Sequence, residues 1–227
     1  MLRLDLKHFS KYIILLILNS LIASFLLIIV SIYSHNFSFS YFIWNLFLSW
    51  VPLLVSVILI YILKNKLWSS WPALIISFIW LIFLPNSFYM ITDFIHLMEV
   101  PNNYLLYFVV AFTAIICSAS INGYISLYLI HRELKKRLSS KSAWVLVALI
   151  SLISSYAIYI GRVLRWNSWD ILTNPGGVIF DVSDNFINLN SLKNSIFTTF
   201  LFFVLIFSIY ILIDRGLKFL IKPKIIS

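Results

Sequence analysis

Six apolar runs, each about 20 residues long, constrain the fold of this chain more than any other feature of its sequence. A run of this length crosses the roughly 30 Å hydrocarbon core of a bilayer as one helix. Only 11% of the residues are charged, whereas a soluble domain carries roughly 25%, so lipid rather than water must cover most of the surface. The runs predict six transmembrane spans, at residues 12–33, 42–63, 71–90, 104–130, 143–160 and 195–213.

These spans predict the fold class and the domain organisation. Helices and closed barrels are the structures that satisfy backbone hydrogen bonds within lipid, and the apolar runs have helical length. We therefore expect an all-α, polytopic transmembrane helical bundle of about six spans, forming a single integral membrane domain over residues 1–227. The single cysteine, Cys117, excludes an internal disulfide.

The distribution of basic residues predicts how the chain is oriented. If the N-terminus is cytoplasmic, the outer side receives only Arg162, Arg165 and Lys193 of the 17 Lys and Arg residues. This asymmetry follows the positive-inside rule, so we expect a multi-pass protein of the cell membrane with both termini in the cytoplasm. Orientation and contact with anionic lipid account for the net charge of +9, and nucleic acid is not an expected partner. The cytoplasmic set is Arg3, Lys7, Lys11, Lys64, Lys66, Arg132, Lys135, Lys136, Arg137, Lys141, Arg215, Lys218, Lys222 and Lys224.

The longest connection between predicted spans, residues 161–194, contains a further helical pattern. Pro and Gly residues mark a turn at 174–177. After this turn apolar and polar side chains separate with helical spacing, which predicts an amphipathic helix in the outer interface between spans five and six. Its apolar face is Ile179, Val182, Phe186 and Leu189, and its polar face is Asp181, Asp184, Asn185 and Asn188.

Polar residues concentrate in two outer segments, of which the first is residues 84–97. Pro85 removes a backbone donor, so we expect span three to kink or break there. If the chain then resumes as a helix, Asp93 and His96 share one face, where a carboxylate can orient an imidazole for acid–base catalysis. The pair also offers two metal ligands, which do not make a metal site, and we assign none. A polar cluster that only ties helices together is the alternative.

The second segment is residues 161–170, at the outer end of span five. Arg162 and Arg165 lie three residues apart, and each guanidinium can bind a phosphate or a carboxylate with two hydrogen bonds. Trp166 and Trp169 suit the membrane interface and can stack on these arginines. The alternative is that the arginines pair with Asp93, Asp170 or phospholipid headgroups.

Both segments lie on the same side at similar depth, and we expect them to converge in one outward-facing pocket, because unpaired charges in hydrocarbon cost several kcal/mol. Its expected partner, besides the bilayer, is an anionic lipid headgroup or another phosphate-bearing ligand. The candidate catalytic residues are Asp93 and His96, and the candidate substrate-binding residues are Asn86, Tyr89, Arg162, Arg165, Asn167, Trp169 and Asp170.

Other polar residues receive structural interpretations. Within the spans we expect Asn45 and Asn122 to form hydrogen bonds between helices. At the cytoplasmic end we expect His131 to be solvated, and Glu133 and Asp214 to be neutralised by neighbouring basic residues.

The two polar segments resemble the signature of a known family, the domain of unknown function 1361 family of predicted bacterial integral membrane proteins. The resemblance covers nearly the whole chain and implies a bacterial multi-span protein, with no assigned activity. It rests on Phe83–Asn86, Tyr89, Thr92, Asp93, His96, Leu97, Gly161, Arg162 and Arg165–Asp170.

Three classes of function remain open from the sequence. The first is a membrane-embedded enzyme that acts at the outer leaflet on an anionic or lipid-linked substrate, with Asp93 and His96 transferring protons. The second is a transporter component, although the sequence contains no internal repeat. The third is a non-catalytic partner or assembly protein. The sequence specifies neither a cofactor nor an oligomeric state.

Overall fold

The computed structural model describes the backbone of residues 6–221 and the side chains of residues 12–216, and this part of the chain contains helices and no strands. A 3-10 helix, Met90–Glu99, continues directly from the third α-helix. The α-helices are α1 (Leu6–Ser34), α2 (Tyr41–Leu63), α3 (Trp71–Tyr89), α4 (Leu105–Lys135), α5 (Ser140–Val163), α6 (Asp170–Thr173), α7 (Pro175–Ile187) and α8 (Leu189–Ile221).

The predicted all-α bundle with six spans is confirmed. In the described part of the chain, six helical stretches are long and apolar enough to cross a membrane, so a lipid bilayer is the environment that this surface fits. Spans three and six extend further than the sequence predicts, because α3 runs on into the 3-10 helix and α8 begins at Leu189. Of the basic residues that predict orientation, Arg3, Lys222, Lys224 and the side chains of Lys7, Lys11 and Lys218 lie outside the described part. The six stretches are Tyr12–Ser34, Tyr41–Leu63, Trp71–Glu99, Leu105–Lys135, Ser140–Val163 and Leu189–Gly216.

Helix α4 is the centre of the packing, in contact with α1, α2, α3 and α5, while α3 packs between α2 and α5. Gly123 allows the close approach of α4 to α3, since a Cβ at this position would lie 2.6 Å from Cβ of Ser87. The predicted interhelical role of Asn122 is confirmed, because its Nδ2 donates to Oγ of Ser49 at 3.0 Å. Helix α8 extends the bundle on the far side of α5.

Of the kink or break expected in span three at Pro85, the break is wrong and the kink stays a prediction. Helix α3 continues through Pro85 to Tyr89, and the helix type changes only at Met90. Burial of Leu84 and Phe88 on either side of the proline stabilises the helical path. Because a 3-10 helix has three residues per turn, Asp93, His96 and Glu99 fall on one face of the segment that follows.

The predicted amphipathic helix is present as α7. Asn174 caps it by accepting a hydrogen bond from the Gly177 amide at 3.1 Å. The apolar side chains of Ile179 and Phe186 are exposed on the surface of the protein, as an interfacial helix requires. The expected polar face is wrong in part, because Asn185 is buried against the bundle.

The expectation that His131 is solvated is also wrong. Its side chain is buried and shares a hydrogen bond with the Tyr210 hydroxyl, and the Trp144 ring packs against it. The predicted neutralisation of the neighbouring carboxylates is confirmed, with Glu133 paired to Lys136 and Asp214 paired to Lys135.

Candidate functional site

Four ionisable side chains, Asp93, His96, Glu99 and Arg162, meet at the end of the bundle that the sequence predicts to face outward, and we call them the outer cluster. Oδ1 of Asp93 lies 3.4 Å from Nη1 of Arg162 and 3.9 Å from Nε2 of His96. Nη2 of Arg162 lies 3.3 Å from the same His96 nitrogen. The expected convergence of the two polar segments is therefore confirmed for Asp93, His96 and Arg162.

The other ring nitrogen of His96 explains how the imidazole is oriented. Nδ1 lies 2.7 Å from Oε1 of Glu99, and the carboxylate accepts a hydrogen bond from the protonated Nδ1. A neutral His96 with its proton on Nδ1 has its lone pair on Nε2, where Arg162 donates. Side-chain exposure falls from 62% at Glu99 through 21% at His96 to 1% at Asp93, so the three residues connect the surface to a buried carboxylate.

Aromatic rings from α2 and the segment before it hold the imidazole in place. The ring centroids of Phe39, Tyr41 and Phe42 lie 6.3, 6.0 and 6.3 Å from that of His96. Tyr41 also lies near Asp93, Glu99 and Arg162. Packing on three sides restricts the orientation of the imidazole, as acid–base chemistry requires.

One atom of the outer cluster is not satisfied. Oδ2 of Asp93 is buried and has no hydrogen-bond partner among the described residues. The side chain of Asn45 lies beside this carboxylate, although the two form no hydrogen bond of normal geometry. A buried carboxylate oxygen without a partner is unusual, since large desolvation costs select against it.

A cavity of about 430 Å³ adjoins the outer cluster. It lies between α2 and α5, over the outer half of α3, and the chain after α5 covers it. Tyr41 and Asn45 belong to its wall and also neighbour Asp93, so the cavity and the cluster share these two side chains. The lining consists of Tyr41, Trp44, Asn45, Leu48, Ile82, Pro85, Asn86, Tyr89, Ala157, Ile158, Ile160, Gly161, Trp166, Asn167, Ser168, Trp169, Ile171 and Val178.

The backbone conformation at Arg165 directs the chain after α5 across the cavity. Arg165 adopts a φ of 61°, in the left-handed region, and so reverses the chain at the end of α5. Nε1 of Trp166 then donates to Oδ2 of Asp181 in α7 at 2.8 Å. Oγ of Ser168 donates to Oδ1 of Asn86 at 3.1 Å, which fastens this segment to α3.

The structure brings only some of the candidate substrate-binding residues to the cavity. Asn86, Tyr89, Asn167 and Trp169 line it, and Arg162 belongs to the outer cluster. Arg165 and Asp170 do not line the cavity, and neither do Asp93, His96 and Arg162, so the single pocket expected from the sequence stays a prediction. Arg165 is exposed and serves the chain reversal.

Asp170 makes a local turn instead of reaching the cavity. Its Oδ2 accepts hydrogen bonds from the backbone and side-chain amides of Asn167, at 2.6 and 3.2 Å. Substrate-binding roles for Arg165 and Asp170 stay predictions without support from the geometry.

Sequence reasoning missed Glu99, Tyr41 and Asn45. Glu99 continues the three-residue spacing of Asp93 and His96, and this spacing would have identified it had the segment been read as a 3-10 helix. Tyr41 and Asn45 lie four residues apart on α2, so they share one helix face. Nothing in the sequence relates that face to residue 93.

Metal binding has no support in the described part of the chain, where no group of three or more His, Cys, Asp and Glu side chains is placed to hold an ion. Both nitrogens of His96 are engaged by protein groups, Nδ1 by Glu99 and Nε2 by Arg162.

Comparison with known proteins gives one match. A family model described as "Protein of unknown function (DUF1361)" covers residues 44–212. The matched region contains the whole outer cluster and, except for Tyr41, the whole cavity lining. No curated protein and no solved structure matches the chain.

Proposed function

The chain belongs to the DUF1361 family of proteins of unknown function, and we propose that it is a membrane-embedded enzyme that acts on a lipid-linked ligand. In this proposal the outer cluster does acid–base chemistry on a ligand held in the adjoining cavity. The observation that carries it is the position of Asp93, a buried carboxylate with an unpartnered oxygen, beside an oriented imidazole and a cavity wall.

The unpartnered oxygen favours chemistry over a purely structural role. A carboxylate that served only to fasten α5 to the 3-10 helix would be expected to have both oxygens satisfied, because an unmade buried hydrogen bond costs about 1–3 kcal/mol. Nδ2 of Asn86, in the cavity wall, is also buried without a partner. Asn86 belongs to the cavity wall and Asp93 adjoins the wall residues Tyr41 and Asn45, so both orphaned atoms support a ligand site at this cavity.

The proposed chemistry begins at His96. Its Nε2 accepts a proton from a hydroxyl of the ligand, and the imidazolium that forms is stabilised by Glu99 on one side and Asp93 on the other. Tyr41 stands between the cavity and His96, and its hydroxyl is the group of the shared wall that can relay this proton. The ligand oxygen becomes an alkoxide in this step, and return of the proton from the imidazolium restores the neutral His96.

Arg162 has a positioning role in this scheme. It compensates the buried charge of Asp93 and donates to Nε2 of His96, so it must move from that nitrogen before the imidazole can accept a proton. The anionic headgroup expected from the sequence would have to compete with Asp93 for this guanidinium. In this proposal Arg162 therefore pairs with Asp93 and does not bind an anionic headgroup. The expectation of a lipid-linked ligand is kept.

We also propose an orientation and a location. Residues 1–227 form one integral domain of the cell membrane, with both termini in the cytoplasm and the outer cluster on the extracytoplasmic side. Cysteine labelling in a Cys117→Ser background tests this. Impermeant reagent added to intact cells should modify Ser38→Cys and Asp184→Cys, which are exposed at one end of the bundle.

The same reagent should not modify Asn65→Cys or Lys141→Cys, which are exposed at the other end, until the cells are permeabilised. The reverse pattern would place the outer cluster in the cytoplasm and contradict the proposed orientation.

Complementation of a deletion strain tests the proposed chemistry. Asp93→Asn and His96→Gln preserve side-chain size but remove the charge and the proton exchange, so each should reduce the rescuing activity by about 10²–10⁴-fold. The yield of purified protein should match that of wild type, and the unfolding free energy should stay within about 1 kcal/mol of the wild-type value. Glu133→Gln, at the other end of the bundle, is the control and should retain activity. The proposal fails if both outer variants rescue normally, or if their loss of activity follows a loss of folded protein.

A further inference from the structure

The lining of the cavity shows which kind of headgroup it suits. No charged side chain belongs to the lining as the structure describes it. Its polar groups are the amides of Asn45, Asn86 and Asn167 and the hydroxyl of Ser168, together with the tyrosine hydroxyls. Phosphate sites rely on Arg, Lys or several backbone amides. The wall instead offers neutral groups that both donate and accept.

We infer that the cavity binds an uncharged, hydroxyl-rich headgroup of the saccharide class, carried on an apolar chain. This inference uses the cavity of the proposed function and names its ligand, but it does not depend on the acid–base chemistry. Hydroxyl groups donate and accept at once, as asparagine amides do, so each asparagine can bind adjacent hydroxyls through its oxygen and its nitrogen.

Asn86 provides the most direct support. Its Oδ1 accepts from Ser168, while its Nδ2 is buried in the cavity wall without a partner. The free donor is thus held in a fixed orientation and needs an acceptor from the ligand. A ligand hydroxyl supplies that acceptor without bringing a charge into the apolar surroundings, which would be costly.

Aromatic rings give the cavity flat apolar faces beside these polar groups. The Trp166 ring is fixed by Asp181 and lies against Gly177, where a Cβ would be 2.8 Å from its ring carbon Cη2. Tyr89 lies against Gly161 in the same way, with a Cβ only 3.3 Å away. The C–H faces of a sugar ring are apolar and slightly positive, so they suit the negative face of an aromatic ring.

The remaining lining is aliphatic and suits the chain of the ligand. Leu48, Ile82 and Ile158 line the part of the cavity formed by the spans. Trp44 and Ile171 are lining residues that are also exposed, and Trp44 belongs to the span α2. A chain bound along the spans can therefore continue into the bilayer, while the headgroup stays beneath the segment that covers the cavity.

Binding of matched amphiphiles tests this inference. The full-length protein in phosphatidylcholine nanodiscs would be titrated with octyl glycosides that bear glucose, galactose, mannose or N-acetylglucosamine, and separately with octyl phosphate and 1-octanol. Empty nanodiscs measure partition into lipid. We expect saturable binding of at least one glycoside, at least tenfold tighter than binding of octyl phosphate or 1-octanol.

Substitutions in the wall locate the binding. Asn86→Leu should weaken binding of the glycoside about tenfold or more, whereas Asn102→Leu, at an exposed position outside the lining, should not. Ala157→Trp fills the cavity and should abolish binding. Ala148→Trp, on the same helix α5 but outside the lining, is its matched control.

The outcomes separate this inference from the proposed function. Preferential binding of octyl phosphate would overturn the saccharide assignment in favour of an anionic ligand. Equal binding of all octyl compounds would show that the cavity takes only an apolar chain, and no saturable binding would show that it takes none of these ligands. Either result overturns the inference, while the activities of Asp93→Asn and His96→Gln still decide the proposed function. If glycoside binding persists in Asp93→Asn, the binding site is independent of the chemistry.

Discussion

Each end of the bundle contains a histidine and a buried carboxylate, and the two ends compensate the carboxylate differently. The inner cluster consists of His131, Glu133, Lys135, Lys136, Arg137, Tyr210 and Asp214. There Glu133 has two cationic partners, and one of them also donates to the Leu63 carbonyl at the end of α2 at 2.6 Å. In the outer cluster one arginine serves Asp93, and one carboxylate oxygen has no partner.

Under the proposed function, this difference separates an end that fastens helices from an end that serves a ligand. The cations of the inner cluster join α2, α4 and α8 and keep part of their side chains exposed, so they compensate buried charge at little cost. The outer cluster adjoins a cavity and keeps a polar atom unsatisfied, which costs stability. We infer that the outer end has been selected for chemistry at some expense of stability, and the inner end for stability.

The largest expected effect on stability comes from removing an arginine. Arg162→Ala leaves the buried Asp93 without its cation and should lower the unfolding free energy by about 3–5 kcal/mol. Arg137→Ala should cost less, because Lys136 still pairs with Glu133. Reversible unfolding in mixed detergent micelles measures both. Equal losses would show that the two ends compensate their carboxylates in the same way.

Substitution of His131 should reduce stability but not activity, whereas substitution of His96 should reduce activity but not stability. His131→Gln removes a buried partner of Tyr210 and should lower the unfolding free energy by about 1–3 kcal/mol, with the activity of the remaining folded protein intact. His96→Gln should change stability by less than about 1 kcal/mol, because this ring is partly exposed, and should lose activity. The comparison fails if either histidine behaves as the other is expected to.

The smallest expected effect concerns the two outer arginines. Arg165→Gly relieves a left-handed backbone conformation and should raise the unfolding free energy by up to about 1 kcal/mol, with normal activity. Arg162→Gly should be strongly destabilising, since it removes the partner of Asp93. Thermal unfolding and complementation measure these effects. Loss of activity in Arg165→Gly without loss of folded protein would restore the substrate-binding role that the sequence assigns to Arg165.

The sequence predicts the six spans well because hydropathy and length are local properties that the bilayer selects directly. It also predicts that Asp93 or Asp170 pairs with Arg162 or Arg165, because an unpaired charge in an apolar surrounding is costly, and the structure forms the pair of Asp93 with Arg162. The burial of His131 could not be predicted in this way. Hydropathy identifies helices, but it does not determine which helix face meets a partner.

The details of the site depend on backbone geometry that local patterns do not show. The change to a 3-10 helix at Met90 aligns Glu99 with His96. The left-handed backbone conformation of Arg165 brings the chain after α5, with Trp166 and Trp169, over the cavity. Asn45 reaches Asp93 only because α2 packs against α3 and the 3-10 helix. These relations are set by tertiary packing.

An experimental density map of the wild-type protein in nanodiscs tests the central claim most directly, the claim that the outer cluster serves a ligand in the adjoining cavity. The account predicts non-protein density bounded by Asn86 and Trp166, with a polar end within hydrogen-bond distance of the wall that Tyr41 and Asn45 share with Asp93. It would be contradicted by a collapsed cavity in which a protein group bonds to Oδ2 of Asp93. In that structure the outer cluster would be a second fastening, equivalent to the inner one.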